Sequence, residues 1–139
     1  MPVYFHNEGV SFVFKNKKAV SSWLSSVIKS FKKEVGTLNF IFCTDEYLLT
    51  INKSYLNHNH YTDIITFDYC EENKISGDLF ISIERVKEYS LKNNIEFNNE
   101  IHRVIVHGVL HLCGLNDKTE REKEKMRAQE NKFLALFFS

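Results

Sequence analysis

The sequence predicts an α+β fold, in which a small mixed β-sheet is packed with helices. Three observations support this prediction. Stretches with helical spacing of apolar residues alternate with short β-type runs along the chain, and two of these runs are joined by a short polar turn. Of the 139 residues, 43% are hydrophobic and only one is proline, so the chain can bury a core of its own. We therefore expect a single domain over residues 1–139.

The chain is predicted to begin with two short β-type runs, at about residues 3–5 and 10–14. Apolar residues then recur at helical spacing from Asn16 to about Glu34, which predicts the first helix. Gly36 is the expected end of that helix, because glycine readily adopts the left-handed conformation that follows a last helical turn.

A strand, a helix and a hairpin are predicted next. The segment 37–43 has strand composition, and Thr44–Asp45 can cap a helix that runs to about Leu56. Tyr61–Tyr69 and Gly77–Ile83 have the composition of two further strands, and the polar turn between them predicts a hairpin.

Three helices are predicted to complete the chain. The first covers about 83–94 and the last about 119–137. Between them a helix starts at Asn98 or Asn99 and stops at Gly114. Because this middle helix is apolar on most sides, we expect it to be the central, buried one.

The buried helix carries the clearest functional signal, two histidines four residues apart. His107 and His111 lie about one turn apart on one helix face, so they can bind one cation. Gly114 lets the chain turn back, and Asp117 follows at an offset that allows a third ligand. Two imidazoles and one carboxylate leave an open coordination position, which predicts a catalytic metal, one zinc ion per chain. The alternative is that the histidines only form hydrogen bonds in the core.

Gly108 limits the reactions that this predicted site can catalyse. Metalloproteases of the HExxH type carry a glutamate general base directly after the first histidine, where this chain has glycine. Peptide hydrolysis by that route is therefore disfavoured. The only catalytic group that we predict is a metal-bound water, whose pKa the ion lowers from about 15.7 toward about 7.

Three segments, in the same order along the chain, resemble the motifs of one known family. They are HGVLHLCGLND at 107–117, TDIITF at 62–67 and GDL at 77–79. They are similar to the HGxLHLxGxxH signature, the TDVLSF segment and the GDLxI element of the YbeY family of metal-dependent endoribonucleases. The resemblance implies a zincin-like α+β fold, one zinc and cleavage of single-stranded RNA. It also implies ribosomal RNA and the ribosome or its assembly factors as partners, with roles in small-subunit rRNA 3′-end maturation and ribosome quality control.

The chain departs from this family pattern in three places: at Asp117, at Leu115-Asn116, where the family usually has an aromatic residue followed by aspartate, and at Leu56. The family usually has histidine where this chain has Asp117, and two histidines with one carboxylate also bind iron in iron(II) oxygenases. The metal is therefore expected to be zinc, with another divalent ion as the alternative. Leu56 stands where an arginine, a natural phosphate contact, is common. Candidates for replacing that arginine are Lys53, His58 and His60.

Arg103 is the predicted substrate contact. It lies one turn before His107 on the same helix face, so it can reach the same cleft. A structural ion pair with Glu100 or another acid is the alternative. Asp63 and Asp78 lie in the family-like segments, and they either orient an imidazole or cap turns.

Composition predicts a cytoplasmic protein. Three cysteines lie singly in apolar stretches, as reduced thiols do, and we see neither a signal peptide nor a membrane span. The formal net charge is zero, so any attraction to RNA must come from a local patch or a larger assembly. The alternatives to an RNA-cleaving enzyme are another metal-assisted hydrolase, less favourably an iron(II) oxygenase, and a non-catalytic ribosome-assembly factor with a structural metal.

Overall fold

A computed structural model describes residues 2–58 and 61–139 of the chain. Within these residues the polypeptide alternates between strands and helices, as predicted. In chain order the elements are β1 (Val3–Glu8), α1 (Lys17–Ser30), β2 (Glu34–Cys43), α2 (Asp45–Leu56), β3 (Ile64–Asp68), β4 (Lys74–Ser82), α3 (Ile83–Lys92), α4 (Phe97–Leu112) and α5 (Glu120–Phe137).

The four strands form one mixed sheet in the order β1-β2-β4-β3. β1 pairs with β2, and β2 with β4, in parallel, whereas β3 and β4 form the predicted antiparallel hairpin. β3 therefore lies at an edge of the sheet, next to the helix that carries the two histidines. The predicted α+β class and the mixed sheet are confirmed.

Capping residues fix the start of two helices where the sequence predicted them. The Thr44 hydroxyl accepts a hydrogen bond from the Tyr47 backbone N–H at 3.1 Å, and α2 then runs to Leu56. At α5, Thr119 and Glu122 cap each other, since each side chain accepts the backbone N–H of the other. Both caps satisfy N–H groups that a helix start otherwise leaves unpaired.

The predicted β-type run at 10–14 is wrong, because this segment is not a strand in the structure. β1 ends at Glu8, and Gly9 then adopts a φ of +72°. The rings of Phe12 and Phe14 instead pack against Phe42 of β2, with centroids 5.0 and 5.3 Å away. The alternating apolar pattern thus reflects an irregular segment that covers the sheet.

The predicted end of the first helix is also wrong. α1 stops at Ser30, and Glu34 already belongs to β2. Gly36 is a strand residue whose absent side chain leaves room for Ser76 of β4, and the Ser76 hydroxyl accepts the Thr37 backbone N–H at 2.9 Å. This glycine allows two strands to approach closely instead of ending a helix.

α4 is the central helix, as predicted. Six of its apolar side chains are at most 4% exposed: Ile101, Val104, Ile105, Val106, Val109 and Leu110. At Gly108 the helix backbone lies so close to the sheet that a Cβ atom would stand 2.5 Å from Leu79 Cδ2 and 2.8 Å from Ile64 Cδ1. The position that follows the first histidine therefore faces the packed sheet.

We expect Gly108→Ala to lower the free energy of unfolding by about 1–3 kcal/mol, because the added methyl group must displace Leu79 and Ile64. Urea unfolding followed by circular dichroism measures this change. The sign of the change in the free energy of unfolding tests the close approach. In an unobstructed helix interior the same substitution stabilises by up to about 1 kcal/mol, so a gain in stability would contradict this close approach.

The last helix closes the core beside α1. Trp23 Nε1 donates a hydrogen bond to the Phe133 carbonyl at 2.9 Å, and Phe133 and Leu134 are buried. Phe137 packs against Trp23 in a tilted arrangement, with ring centroids 4.8 Å apart. Leu136, by contrast, is 61% exposed because it lies on the outer face of α5.

The three cysteines are free thiols, two of them buried. Burial raises the pKa of Cys43 to about 12 and that of Cys113 to about 11, so neither forms a reactive thiolate near neutral pH. Across residues 2–58 and 61–139, none of the helices combines the length and the apolar character that crossing a membrane requires.

Candidate metal centre

The structure brings the three predicted ligands together. His107 Nε2 and His111 Nε2 are 3.1 Å apart on successive turns of α4. Asp117 lies in the loop after the helix, with its Oδ2 atom 3.4 Å from His107 Nε2 and 3.3 Å from His111 Nε2. All three side chains are half-buried.

The turn at Gly114 positions both the second histidine and the aspartate. Gly114 adopts a φ of +107°, its N–H bonds to the His111 carbonyl, and the Leu115 N–H bonds to the Leu110 carbonyl, each at 3.0 Å. This is the glycine-terminated helix end that the sequence predicted. The turn also brings the Leu115 carbonyl to 2.9 Å from His111 Nδ1 and leads the chain back toward Asp117.

Glu130 of α5 fixes the first histidine. Its Oε2 atom lies 2.7 Å from His107 Nδ1, and its Oε1 atom accepts a hydrogen bond from Arg103 Nη1 at 3.0 Å. Burial alone would raise the pKa of Glu130, but His107, Arg103 and Arg127 outweigh it and lower that pKa. Burial lowers the pKa of His107, whereas Glu130, Asp63 and Asp117 raise it, and the net shift is upward.

Sequence reasoning missed Glu130, although the sequence contains a signal for it. Glu130 is only 4% exposed and shares the inner face of α5 with Met126, Phe133 and Leu134. A carboxylate within an apolar helix stripe needs a buried partner, because an unpaired buried charge is costly. The partners come from α4, whose position relative to α5 the sequence does not reveal.

The hydrogen bonds determine where the imidazole protons are. A carbonyl oxygen only accepts, so His111 Nδ1 must carry the proton that it donates to Leu115. The lowered pKa of Glu130 keeps it ionised, so His107 Nδ1 likewise donates. In the neutral imidazoles, both Nε2 atoms are then lone-pair acceptors, and they face the Asp117 carboxylate.

When both imidazoles are neutral, three acceptor atoms therefore converge with no donor hydrogen between them, an arrangement that either a bound cation or a proton on His107 stabilises. Zinc bonds of 2.0–2.1 Å in tetrahedral geometry require ligand atoms about 3.3 Å apart. The three observed separations lie between 3.1 and 3.4 Å. The ligand set and its spacing thus fit a single divalent ion, and the hydrogen bonds that the two Nδ1–H groups donate to Glu130 and the Leu115 carbonyl are those that metal-binding histidines need.

Two cavities meet at these ligands. One, of about 340 Å³, lies between α3, α4 and α5 and is lined by Arg103, His107 and Asp117 among others. We call it the α5 cavity. The other, of about 510 Å³, lies between α2 and β3 and is lined by His107, His111 and Asp117. We call it the β3 cavity.

The remaining candidates from the sequence have different environments. Arg103 forms ion pairs with Glu100, at 3.7 Å, and with Glu130, at 3.0 Å, as the structural alternative to a substrate contact expected. Asp63 lines both cavities, and burial raises its pKa. Asp78 accepts a hydrogen bond from Asn39 Nδ2 at 3.1 Å, across β2 and β4. Leu56 and His58 line the β3 cavity, Lys53 is exposed on α2, and His60 lies outside the described residues.

Fold and site together define a class of protein, in which a mixed sheet supports a helix whose two histidines form a candidate mononuclear metal centre with one carboxylate. Residues 5–137 match the sequence model of the family described as Endoribonuclease YbeY. The chain therefore belongs to the YbeY endoribonuclease family, and the resemblance predicted from its motifs is confirmed.

Relatives named Endoribonuclease YbeY match along nearly the whole chain. One from Bacteroides fragilis is 48% identical over 136 residues, which are 98% of this chain and 98% of the relative. One from Flavobacterium johnsoniae is 47% identical over 131 residues, which are 94% of each chain. The solution structure of TM1509 from Thermotoga maritima shares the fold, with a TM-score of 0.69, 22% identity and coverage of 98% of this chain and 89% of that one.

Proposed function

We propose that this chain is a metal-dependent endoribonuclease that acts in ribosomal RNA maturation, at the small-subunit rRNA 3′ end, and in ribosome quality control. The observation that supports it most is the convergence of two imidazole lone pairs and one carboxylate at 3.1–3.4 Å. The family name supports cleavage of RNA, and it favours neither a non-catalytic assembly factor nor another hydrolase. Ribosomal RNA, the ribosome and the cytoplasm are part of this proposal.

His107, His111 and Asp117 would hold the ion, and zinc is the ion that we propose. A bound zinc would supply a Lewis acid for a phosphate oxygen and would lower the pKa of a coordinated water. The chain itself sets the geometry. Glu130 keeps the His107 proton on Nδ1, and the Leu115 carbonyl does the same for His111, so both Nε2 atoms stay available as ligands.

Arg103 has two roles in this proposal. It holds the Glu130 carboxylate at 3.0 Å, and it lines the α5 cavity, where its positive charge favours a phosphate group of the substrate. We also propose that residues 1–139 work as one domain, since the main hydrophobic core joins residues of α1, α4 and α5 with those of β2 and β4.

Metal removal tests the proposed function. We expect protein purified without added metal to contain about one zinc per chain and to cleave single-stranded precursor small-subunit rRNA near its 3′ end. Dialysis against a chelator should abolish cleavage, and added zinc should restore it, because the three ligands then reassemble the site. Magnesium added at the same concentration is the control, since two imidazoles are poor ligands for it.

The outcomes separate the alternatives. Cleavage that persists without metal contradicts the proposal. Iron in place of zinc, with turnover that requires oxygen, supports the iron(II) oxygenase alternative. Ribosome association and rRNA processing that survive metal removal support a non-catalytic assembly factor. Products that end in a 2′,3′-cyclic phosphate identify the ribose 2′-hydroxyl as the nucleophile, whereas water attack leaves none.

A further inference from the structure

The two cavities beside the metal ligands differ in charge. Among the described residues that line the β3 cavity, the charged side chains are the carboxylates Asp63, Asp68 and Asp117, without a lysine or arginine. The α5 cavity is lined by three cations, Arg103, Lys123 and Arg127, together with the carboxylates Asp63, Glu100, Asp117 and Glu130. Glu100 and Glu130 pair with Arg103, so Lys123 and Arg127 remain as cations that an anionic RNA backbone can contact in the α5 cavity, whereas the described lining of the β3 cavity offers none.

Lys123 and Arg127 are the cations that face solvent in the α5 cavity. They lie four residues apart on α5, so both project from one helix face. Their side chains are 57% and 52% exposed, against 18% for Arg103. Arg103 holds Glu130, whereas within the described part of the chain the acidic partner of Lys123 is the highly exposed Glu120 at 3.6 Å, a weak pairing in water.

The positive charge of Arg127 is also only partly neutralised by its neighbours. Its Nη1 atom lies 3.5 Å from Glu130 Oε1, which already accepts the shorter bond from Arg103. Half of the Arg127 side chain remains in solvent at the cavity mouth. A phosphate group can therefore bind Arg127 without displacing the buried contacts that hold His107.

Tyr89 of α3 supplies an aromatic ring to the same cavity, and it is 40% exposed. Sites for single-stranded nucleic acid combine cations that contact the backbone with aromatic rings on which bases stack. The cavity volume of about 340 Å³ suits one small ligand, and His107 and Asp117 form part of its wall. A nucleotide bound there lies directly beside the metal ligands.

We propose that the α5 cavity is the nucleotide subsite adjacent to the scissile bond. Lys123 and Arg127 bind backbone phosphate, and Tyr89 stacks on the base. This proposal depends on the proposed RNA cleavage. It additionally specifies that the RNA strand runs from the metal centre into the α5 cavity. It is sequence-tolerant, because phosphates and base faces are common to all nucleotides.

The charge contacts are tested with the zinc-loaded, full-length protein and a fluorescent single-stranded RNA, by anisotropy at several salt concentrations in the absence of turnover at low temperature. We expect the double variant Lys123→Gln/Arg127→Gln to bind more weakly and to reduce the slope of log affinity against log salt by about 1.4, or about 0.7 per phosphate contact. Lys125→Gln, on the exposed outer face of the same helix, is the matched control and should keep the wild-type slope.

The stacking contact is tested with Tyr89→Leu and two ligands, the same RNA and an abasic strand of equal length. We expect Tyr89→Leu to weaken binding of the RNA about tenfold and to leave binding of the abasic strand unchanged, whereas Tyr89→Phe keeps both. If Tyr89 had only a structural role, Tyr89→Leu would weaken binding of the RNA and of the abasic strand alike.

The outcomes distinguish this subsite from the proposed function. Wild-type protein that cleaves RNA while both variants bind like wild type overturns the subsite and leaves the function intact. Wild-type protein that neither binds nor cleaves single-stranded RNA overturns both. Zinc content, measured for every variant, should equal that of the wild type, and a loss of zinc in the Lys123→Gln/Arg127→Gln variant would overturn the assignment of these residues to phosphate.

Discussion

His111→Ala is expected to lose its metal ion and its RNA cleavage together while the fold persists. The variant removes one of three ligand atoms. Because loss of even an outer partner of a metal ligand lowers metal affinity about 10–100-fold, we expect the metal affinity of His111→Ala to fall by more than about 100-fold. The fold should persist because His111 is half-buried at a cavity wall and the core of α4 lies on its other faces. Metal content by mass spectrometry, RNA cleavage and thermal unfolding measure the three properties.

His6→Ala is the matched control, because His6 lies on β1 and contacts Asn39, far from the three ligands in the sheet order. It should retain both metal and activity. Full activity of His111→Ala would contradict the proposed centre. Wholesale unfolding would instead indicate a structural metal, whose binding energy is part of the folding energy.

Glu130→Gln has the second largest expected effect, on metal affinity and on stability at once. The substitution keeps the side-chain shape but removes the charge to which His107 and Arg103 both donate. We expect zinc affinity to fall about 10–100-fold, and the free energy of unfolding to fall by about 3–5 kcal/mol, because Arg103, whose side chain is 18% exposed, is left without its nearer partner. Competition with a chromophoric chelator and urea unfolding measure the two effects.

Two further variants separate the two effects. The double variant Arg103→Met/Glu130→Leu replaces the buried pair with apolar groups, so it should recover most of the stability but not the zinc affinity. Glu124→Gln, exposed on the same helix, should change neither. Wild-type zinc affinity in Glu130→Gln would show that the contact with His107 Nδ1 does not support metal binding.

The pH dependence of the metal-free protein gives an independent measurement of the same contact. The folded pKa of Glu130 lies below its ordinary value of 4.5, so its contribution to stability is present above 4.5 and is lost as the pH falls through the lowered pKa. The folded pKa of His107 lies above its ordinary 6.5, so its contribution is present below 6.5 and is lost as the pH rises through the raised pKa. The difference in unfolding free energy between wild type and Glu130→Gln should therefore be largest between pH 4.5 and pH 6.5.

Local sequence patterns predicted much of the fold and the three ligands. The His107–His111 spacing, the glycine stop and Asp117 all lie within eleven residues, and helix periodicity and turn chemistry act over that range. The hairpin and the two capping threonines depend on equally short-range interactions. Such features could be predicted because the residues that determine them are neighbours in the chain.

Predictions from local sequence pattern were wrong where contacts with an element far along the chain determine the conformation. The run at 10–14 alternates like a strand, but its phenylalanines pack on Phe42 from an irregular segment. Gly36 resembles a helix stop, but its lack of a side chain makes room for Ser76 from the neighbouring strand. Both patterns are ambiguous until the sheet is assembled.

The sequence by itself thus determined the α+β class, the helix that carries the candidate metal ligands, and the family motifs. Only the tertiary structure placed Glu130 behind His107, across 23 residues of chain, and paired Arg103 with Glu130 as well as with Glu100. It also opened the α5 cavity beside the ligands and presented Lys123, Arg127 and Tyr89 to it from two helices. The reason is physical: the ligands share one helix and its adjoining turn, whereas their supporting contacts and the substrate cavity exist only after separate helices pack together.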